Sequence, residues 1–361
     1  MRILHIHPSM LAGGVEAMIC ATAAEMACQG HDVTFCSIYQ PKPDDIFWYR
    51  LPETVHKVTL GKQSTGFSLK EVLAVYRFIR KGHFDVVQLH GFLYYFIFAV
   101  LLLPCQKFFY TFHSDAKREN FKWDIRFFWF KKLIFRLGRV RAITISPASQ
   151  QSFTELYGCK SALCENGIPM PFVDYKENAV DEARITSKTK VFLHPGRITE
   201  AKNQLVLVKV FRRLIEEGSD VVLLIAGKEE DDAILQQIRP YFCKRIQYLG
   251  LRTDVPSLMA KADGMCLPSV WEGLPITLLE CLAVGCIPIC SPVGGVADVI
   301  TDGKNGFLSK SSGEEDYYQA MLRFLKQSHE DTARMKQSCV TSFQPYHISY
   351  SVKKYLQEYA K

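Results

Sequence analysis

Residues Ser269–Cys290 read SVWEGLPITLLECLAVGCIPIC, apolar enough to be core yet carrying two carboxylates, Glu272 and Glu280. The preceding Gly264–Leu267 has the pattern of a buried strand. Pro275 stands where a helix begins, because proline suits the first helical turn, whose amides lack an intrahelical acceptor. Ser269–Leu274, with Gly273, is then a strand-to-helix loop. The amides of Leu274, Ile276 and Thr277 point out of the helix start and can hold an anion. Glu272 precedes the helix and Glu280 lies about two turns into it, so they do not share one contact. One can meet the reactive end of a bound group and the other a hydroxyl-bearing portion. The plainer reading is a helix cap and a surface salt bridge. It suits Glu280 poorly, since Leu278, Leu279, Cys281 and Leu282 surround it, and an unliganded carboxylate is costly there.

The same strand–loop–helix unit recurs along the chain and predicts an α/β protein with parallel sheets. In the first half the strands are Arg2–His7, Asp32–Ile38, Phe84–His90, Lys107–His113 and Arg141–Ser146. Helices are expected at Val15–Gln29, Leu69–Lys81, Leu93–Leu103 (buried), Phe121–Leu137 and Pro147–Tyr157. A second series starts at Val191–His194 and continues through Val221–Ala226, Ile246–Leu249, Gly264–Leu267 and Ile287–Ser291. At 361 residues two domains are the natural expectation. The boundaries are 1–170, a polar linker at 171–190, 191–345, and an amphipathic helix at 346–361. Two such domains enclose a cleft in which ligands bind near the strands' C-terminal ends.

Composition narrows the class. Hydrophobic residues make up 48% and charged residues 22%, which is ordinary for a globular protein. The N-terminus alternates like a strand and shows no signal-peptide core. Gly91–Pro104, the longest apolar run, is too short to span a bilayer. Twelve cysteines without a Cys-x-x-Cys pair fit a reducing cytoplasm. Cys281, Cys286 and Cys290 read as small core residues in preference to metal ligands. Residues 1–170 hold 20 basic and 13 acidic side chains, against 24 of each in the remainder. The excess concentrates in Lys117–Arg141, where Lys122, Arg126, Lys131 and Lys132 interleave with aromatics. Part of that segment must be core; the rest could sit on an anionic membrane surface or meet an acceptor. Nucleic acid is disfavoured, because no recognition module accompanies the charge.

Four further features bear on chemistry. In LHPGRITEAKNQL (Leu193–Leu205) a strand ends at Gly196, with Arg197 and Lys202 in the loop that follows. Arg can hold a diphosphate bidentately and Lys as a point charge; an ordinary solvated loop is the alternative. Gly13–Gly14, after the first strand, and Gly294–Gly295 permit close backbone approach to a ligand or form simple turns. Gly13–Gly14 lacks the GxGxxG spacing of a dinucleotide site. His113, at a strand end, is either structural or placed for a cleft.

Together these segments resemble family 4 of the glycosyltransferases, whose fold is GT-B, two Rossmann-like domains facing each other. The resemblance rests on GGVE at Gly13–Glu16, His113, ENGIP at Glu165–Pro169, GRITEAKNQ at Gly196–Gln204, EGLPITLLE at Glu272–Glu280 and SPVGG at Ser291–Gly295. It implies a retaining transferase with a nucleotide-sugar donor, UDP-linked for preference, and a lipid-linked or oligosaccharide acceptor of bacterial surface polysaccharide. It also implies that Arg197 and Lys202 hold the diphosphate and that Glu272 contacts the sugar. Glu280 would meet the ribose hydroxyls, with the amides after Gly273 at the phosphates. Gly14 would approach the phosphates, His113 would face the transferred sugar, and the terminal helix would cross to the N-terminal domain. Ala226–Asp231 (AGKEED) lacks a second glycine common in the family, and Asp298 replaces a usual Glu. No Asp-x-Asp motif lies near the donor loops, consistent with Arg197 and Lys202 replacing a divalent cation; no cofactor is expected. A nucleotide-sugar epimerase and a catalytically dead sugar-nucleotide-binding protein are the competing readings.

Overall fold

A computed structural model describes every residue of the chain except 12, 65, 92, 118 and 120–127. The chain divides into two compact α/β units, Met1–Pro169 with Tyr346–Lys361, and Met170–Pro345. The first contains β1 (Arg2–His7), β2 (Asp32–Tyr39), β3 (Val55–Lys62), β4 (Val86–Leu89), β5 (Lys107–Phe112), β6 (Arg141–Thr144) and β7 (Ala162–Leu163). They form one parallel sheet in the order β3-β2-β1-β4-β5-β6-β7. The second contains β8 (Lys190–Pro195), β9 (Val221–Ala226), β10 (Ile246–Tyr248), β11 (Gly264–Leu267), β12 (Ile287–Cys290) and β13 (Phe307–Leu308). Its order is β10-β9-β8-β11-β12-β13, again parallel. Every residue of β9, β11 and β12 is buried, as continuous apolar strands of a doubly covered sheet should be. Strand order reverses between β1 and β4 and between β8 and β11, and loops at such reversals leave room for ligands.

The α/β class follows from the sequence, but several elements differ from expectation. Strand β3, VHKVTLGK, escapes a hydrophobic search because it is an edge strand, with only its end residues Val55 and Lys62 buried. The expected helix Leu93–Leu103 is a 3-10 turn, Leu93–Phe96, followed by a short helix, Ile97–Leu102, and Leu101 and Leu102 are exposed. Of Phe121–Leu137, the described helix is Phe128–Arg136; 121–127 lie outside the described residues. Segment 171–190 is docked on the second unit and is no free tether. Its helix Ala179–Ala183 is capped by Asn178, buries Val180, and pairs Asp181 with Lys261 and Arg184 with Asp263.

The terminal helix Ile348–Ala360 belongs to the first unit. Tyr359 donates its hydroxyl to Gln88 at 2.9 Å and accepts Lys107 Nζ on its carbonyl at 3.0 Å. Ser351 donates to the Glu165 carbonyl at 2.7 Å. No helix among the described residues is long and apolar enough to cross a membrane.

Candidate functional site

The reversal of strand order in the second sheet sets two loops side by side, 196–203 after β8 and 268–275 after β11. Backbone and side-chain bonds stitch them together. Val270 N donates to the Ala201 carbonyl at 2.9 Å, and Asn203 Nδ2 donates to Pro268 and Ser312 carbonyls at 3.1 and 2.9 Å. Asn203 takes the left-handed conformation (φ 56°) that asparagine tolerates better than most residues. The loop after β9 presses equally close. A Cβ on Gly227 would overlap the Gly196 carbonyl oxygen, so glycine is required there.

This stitching brings Lys202 and Glu272 together. Lys202 Nζ lies 2.6 Å from Glu272 Oε1, which also accepts Ser269 Oγ at 2.6 Å. Their side chains are 17% and 10% exposed, so the pair is partly desolvated. Arg197 lies on the same loop as Lys202 but pairs with Glu230, its Nη1 at 3.0 and 2.8 Å from the two carboxylate oxygens. Both partners are about half exposed, and such a surface pair contributes about 1 kcal/mol or less. An arriving diphosphate can therefore take the guanidinium at little cost. Glu230 was not foreseen, because nothing in its sequence position marks it as the partner.

Helix Ile276–Ala283 starts after Pro275, whose carbonyl accepts Leu278 N and Leu279 N at 3.1 and 3.4 Å. The amides of Ile276 and Thr277 precede this ladder, at the positive end of the helix dipole. Leu274 is buried, and the Gly273 carbonyl accepts Gly295 N at 2.6 Å. Lys202 and a helix start thus meet on the loops that also carry Glu272, while the Arg197 side chain, on the same loop as Lys202, is turned to Glu230.

Glu280 sits on the same helix, partly buried, and desolvation pushes its carboxyl up to about 7. A folded pKa above the unfolded value contributes stability below about pH 4.5 that is lost as pH rises through 7. Glu280→Gln is therefore expected to be more stable than the wild type at pH 8, by roughly 1–3 kcal/mol, and equally stable at pH 4. Paired thermal melts across that range check it; a difference that does not change with pH would contradict the assignment.

Behind the loops lies a polar network that the sequence reading missed. His194, fully buried in β8, donates from Nδ1 to the Cys266 carbonyl at 2.8 Å. Gln204 donates to His194 Nε2 at 3.1 Å and to the Arg197 carbonyl at 2.8 Å, which fixes the backbone of Arg197. Burial lowers His194 to about 4, so the ring is neutral. The available signal was a histidine inside an otherwise apolar strand. Cys281, Cys286 and Cys290 are buried, and burial pushes the Cys281 and Cys290 thiols up.

Gly14 and His113 belong to the first unit. Gly14 opens the helix Gly14–Cys28, and the Glu16 carboxylate folds against Gly13. His113 follows β5; its amide and that of Ser114 donate to Glu119 Oε1 at 2.5 and 2.8 Å. Burial pushes that carboxyl up to about 7.

The basic segment needs one correction. Lys131 is 1% exposed, with Nζ 6.0 Å from the Tyr110 ring centre, so it cannot offer charge to a surface. Lys132 lies against Phe128 and Trp129, 5.6 Å from each ring centre. Lys122 and Arg126 lie outside the described residues. Trp129 is 75% exposed, and Leu133 and Leu137 continue its stripe at helical spacing.

Residues 12–170 match the family model Glycosyltransferase Family 4, and residues 176–339 match Glycosyl transferases group 1. Over 303 residues, 78% of this chain and 75% of the relative, the sequence is 25% identical to UDP-Gal:alpha-D-GlcNAc-diphosphoundecaprenol alpha-1,3-galactosyltransferase of Escherichia coli. A glycosyltransferase from Rickettsia africae ESF-5 shares the fold with a TM-score of 0.81 at 18% identity, covering 99% of this chain and 97% of that one. An Anabaena protein crystallised in complex with UDP and glucose reaches 0.83 at 17% identity, covering 100% of each chain.

Proposed function

The chain belongs to the family 4 glycosyltransferases, with the GT-B fold, and from that premise we propose that it transfers a hexose or N-acetylhexosamine from a UDP-sugar to a lipid-linked or oligosaccharide acceptor of bacterial surface polysaccharide, with retention and without a metal. The observation that carries this reading is Lys202 paired with Glu272 just before the Ile276 helix start, with Arg197 on the same loop as Lys202 in an exposed pair. Breaking a sugar–phosphate bond leaves a diphosphate behind, and fixed cations with oriented amides stabilise that charge as it develops. Arg197 and Lys202 hold the diphosphate, Glu280 the ribose hydroxyls, and Glu272 the sugar. Gly14 approaches the phosphates and His113 contacts the transferred sugar. The UDP-sugar and lipid-linked acceptor in the Escherichia coli relative's name support the choice of substrates.

Retention is best served by attack from the face that the phosphate leaves, with the leaving phosphate taking the acceptor's proton. Glu272 suits a positioning role better than a nucleophilic one, since Oε1 already accepts from Lys202 and Ser269. Trapping a glycosyl-enzyme on Glu272 would overturn that assignment. Activity is expected to persist in excess chelator. A loss that magnesium or manganese restores would overturn the metal-independent reading.

We propose that the enzyme works in the cytoplasm, peripheral on the anionic inner face of the membrane. The exposed Trp129–Leu133–Leu137 stripe beside Lys132 supports this, because such helices insert apolar side chains while cations meet headgroups. Trp129→Ser combined with Leu133→Ser is expected to reduce co-sedimentation with anionic vesicles severalfold. Wild-type binding indifferent to lipid charge would count against the surface.

A further inference from the structure

One face of the first sheet carries a buried polar stripe. His5 stands in register with Gln88, and Gln88 with Phe109, so all three point to the same side. The twofold period of strands extends that side to His90 and His113. Here the histidines form a chain: His5 Nδ1 lies 3.1 Å from His90 Nε2, and His90 Nδ1 lies 3.0 Å from His113 Nε2. His5 and His90 are fully buried. Gln88, beside them, is locked by its bonds to Thr111 Oγ1 at 2.7 Å and from the Tyr359 hydroxyl. Burial lowers His5 to about 4 and His113 to about 3, and His90 is lowered too, so each ring carries one proton at neutral pH.

Two proton arrangements satisfy both links. In one, every ring is protonated on Nδ1 and donates towards His113. In the other, every ring is protonated on Nε2 and donates towards His5. The chain's inner end separates them, because His5 Nε2 is buried without a hydrogen-bond partner among the described residues. The first arrangement leaves a lone pair there; the second leaves an N–H, and orphaned buried N–H groups are the rarer and costlier case.

We infer that His90 and His5 are positioning residues that hold His113 as the Nδ1–H tautomer, so that it offers a bound sugar a hydrogen-bond donor and no lone pair. The inference rests on the proposal that His113 contacts the transferred sugar. It deepens that proposal: His113 recognises an oxygen of the sugar and cannot serve as general base, which leaves the leaving phosphate to take the acceptor's proton.

Long-range proton–nitrogen correlation spectra of histidine-labelled enzyme at pH 7 test it. In the wild type, Nδ1 of His113 is expected to be protonated and Nε2 bare. In His90→Gln the amide can donate to His113 and accept from His5, so the tautomer and kcat/KM should be retained. In His90→Phe the donor is lost, His113 should shift towards the Nε2–H form, and kcat/KM should fall about tenfold. Wild-type His113 protonated on Nε2, His90→Phe retaining Nδ1–H, or His90→Gln behaving like His90→Phe would each overturn the inference. Unchanged turnover in His113→Ala would instead overturn the placement of His113 at the sugar, whatever the spectra show.

Discussion

Replacing Lys202 by alanine is expected to lower kcat/KM for the nucleotide-sugar by a hundred- to a thousandfold, about 3–4 kcal/mol of transition-state stabilisation. The Lys202 side chain is only 17% exposed, and a charge in so dry a place acts strongly on whatever anion forms beside it. Its present partner, Glu272, complicates the measurement, since removing Lys202 takes away the counter-charge of that carboxylate and leaves it the neutral Ser269 hydroxyl. Some loss of stability must accompany the loss of rate. The double variant Lys202→Ala with Glu272→Gln, measured against Glu272→Gln alone because Glu272 itself is assigned to the sugar, separates the two effects. Neutralising Glu272 removes the uncompensated charge and should recover the melting temperature, while turnover stays low. Lys202→Arg should not rescue fully, because a planar fork cannot replace a compact point charge at this distance. Turnover of Lys202→Ala within threefold of the wild type would overturn the role given to this residue.

The elements around Lys202 and Glu272 were legible for a physical reason. Doubly covered parallel strands are continuous apolar runs, and a loop between such a strand and a proline-started helix declares itself. Partners were not legible. Glu272 meets Lys202 across 70 residues, Arg197 meets Glu230 across 33, and His5 meets His90 across 85. Each contact exists only because parallel strands adjoin in the sheet, out of sequence order for β8 with β11 and for β1 with β4. Orientation was equally hidden in Phe128–Arg136, where composition gives aromatics and lysines but not which face turns inward. The fold buries Lys131 against Tyr110 and leaves Trp129 outside. Strand β3 illustrates a third limit: an edge strand buries too little to need an apolar pattern.

Gly294 exposes the same gap and yields the second large effect. From sequence, Gly294–Gly295 is either a ligand contact or a plain turn. In the structure the constraint comes from the protein's own backbone. Gly294 has φ 52°, and a Cβ there would overlap the Glu272 carbonyl oxygen and lie 3.1 Å from that of Gly273. The loop after β12 therefore braces the loop that carries Glu272, aided by the Gly295 amide on the Gly273 carbonyl. Gly294→Ala must displace one of the two backbones and hold alanine in a left-handed conformation. A cost of about 3 kcal/mol is expected, or roughly 10 °C in melting temperature. Displacing Glu272 should also reduce kcat/KM by at least about tenfold. Gly303→Ala is the internal control, because Gly303 has φ 74° with nothing within 4 Å of a Cβ. It carries the conformational penalty without the collision and should cost only about 1 kcal/mol. Equal losses in the two variants would mean that backbone conformation alone, and not the close approach of the loops, makes glycine necessary at 294.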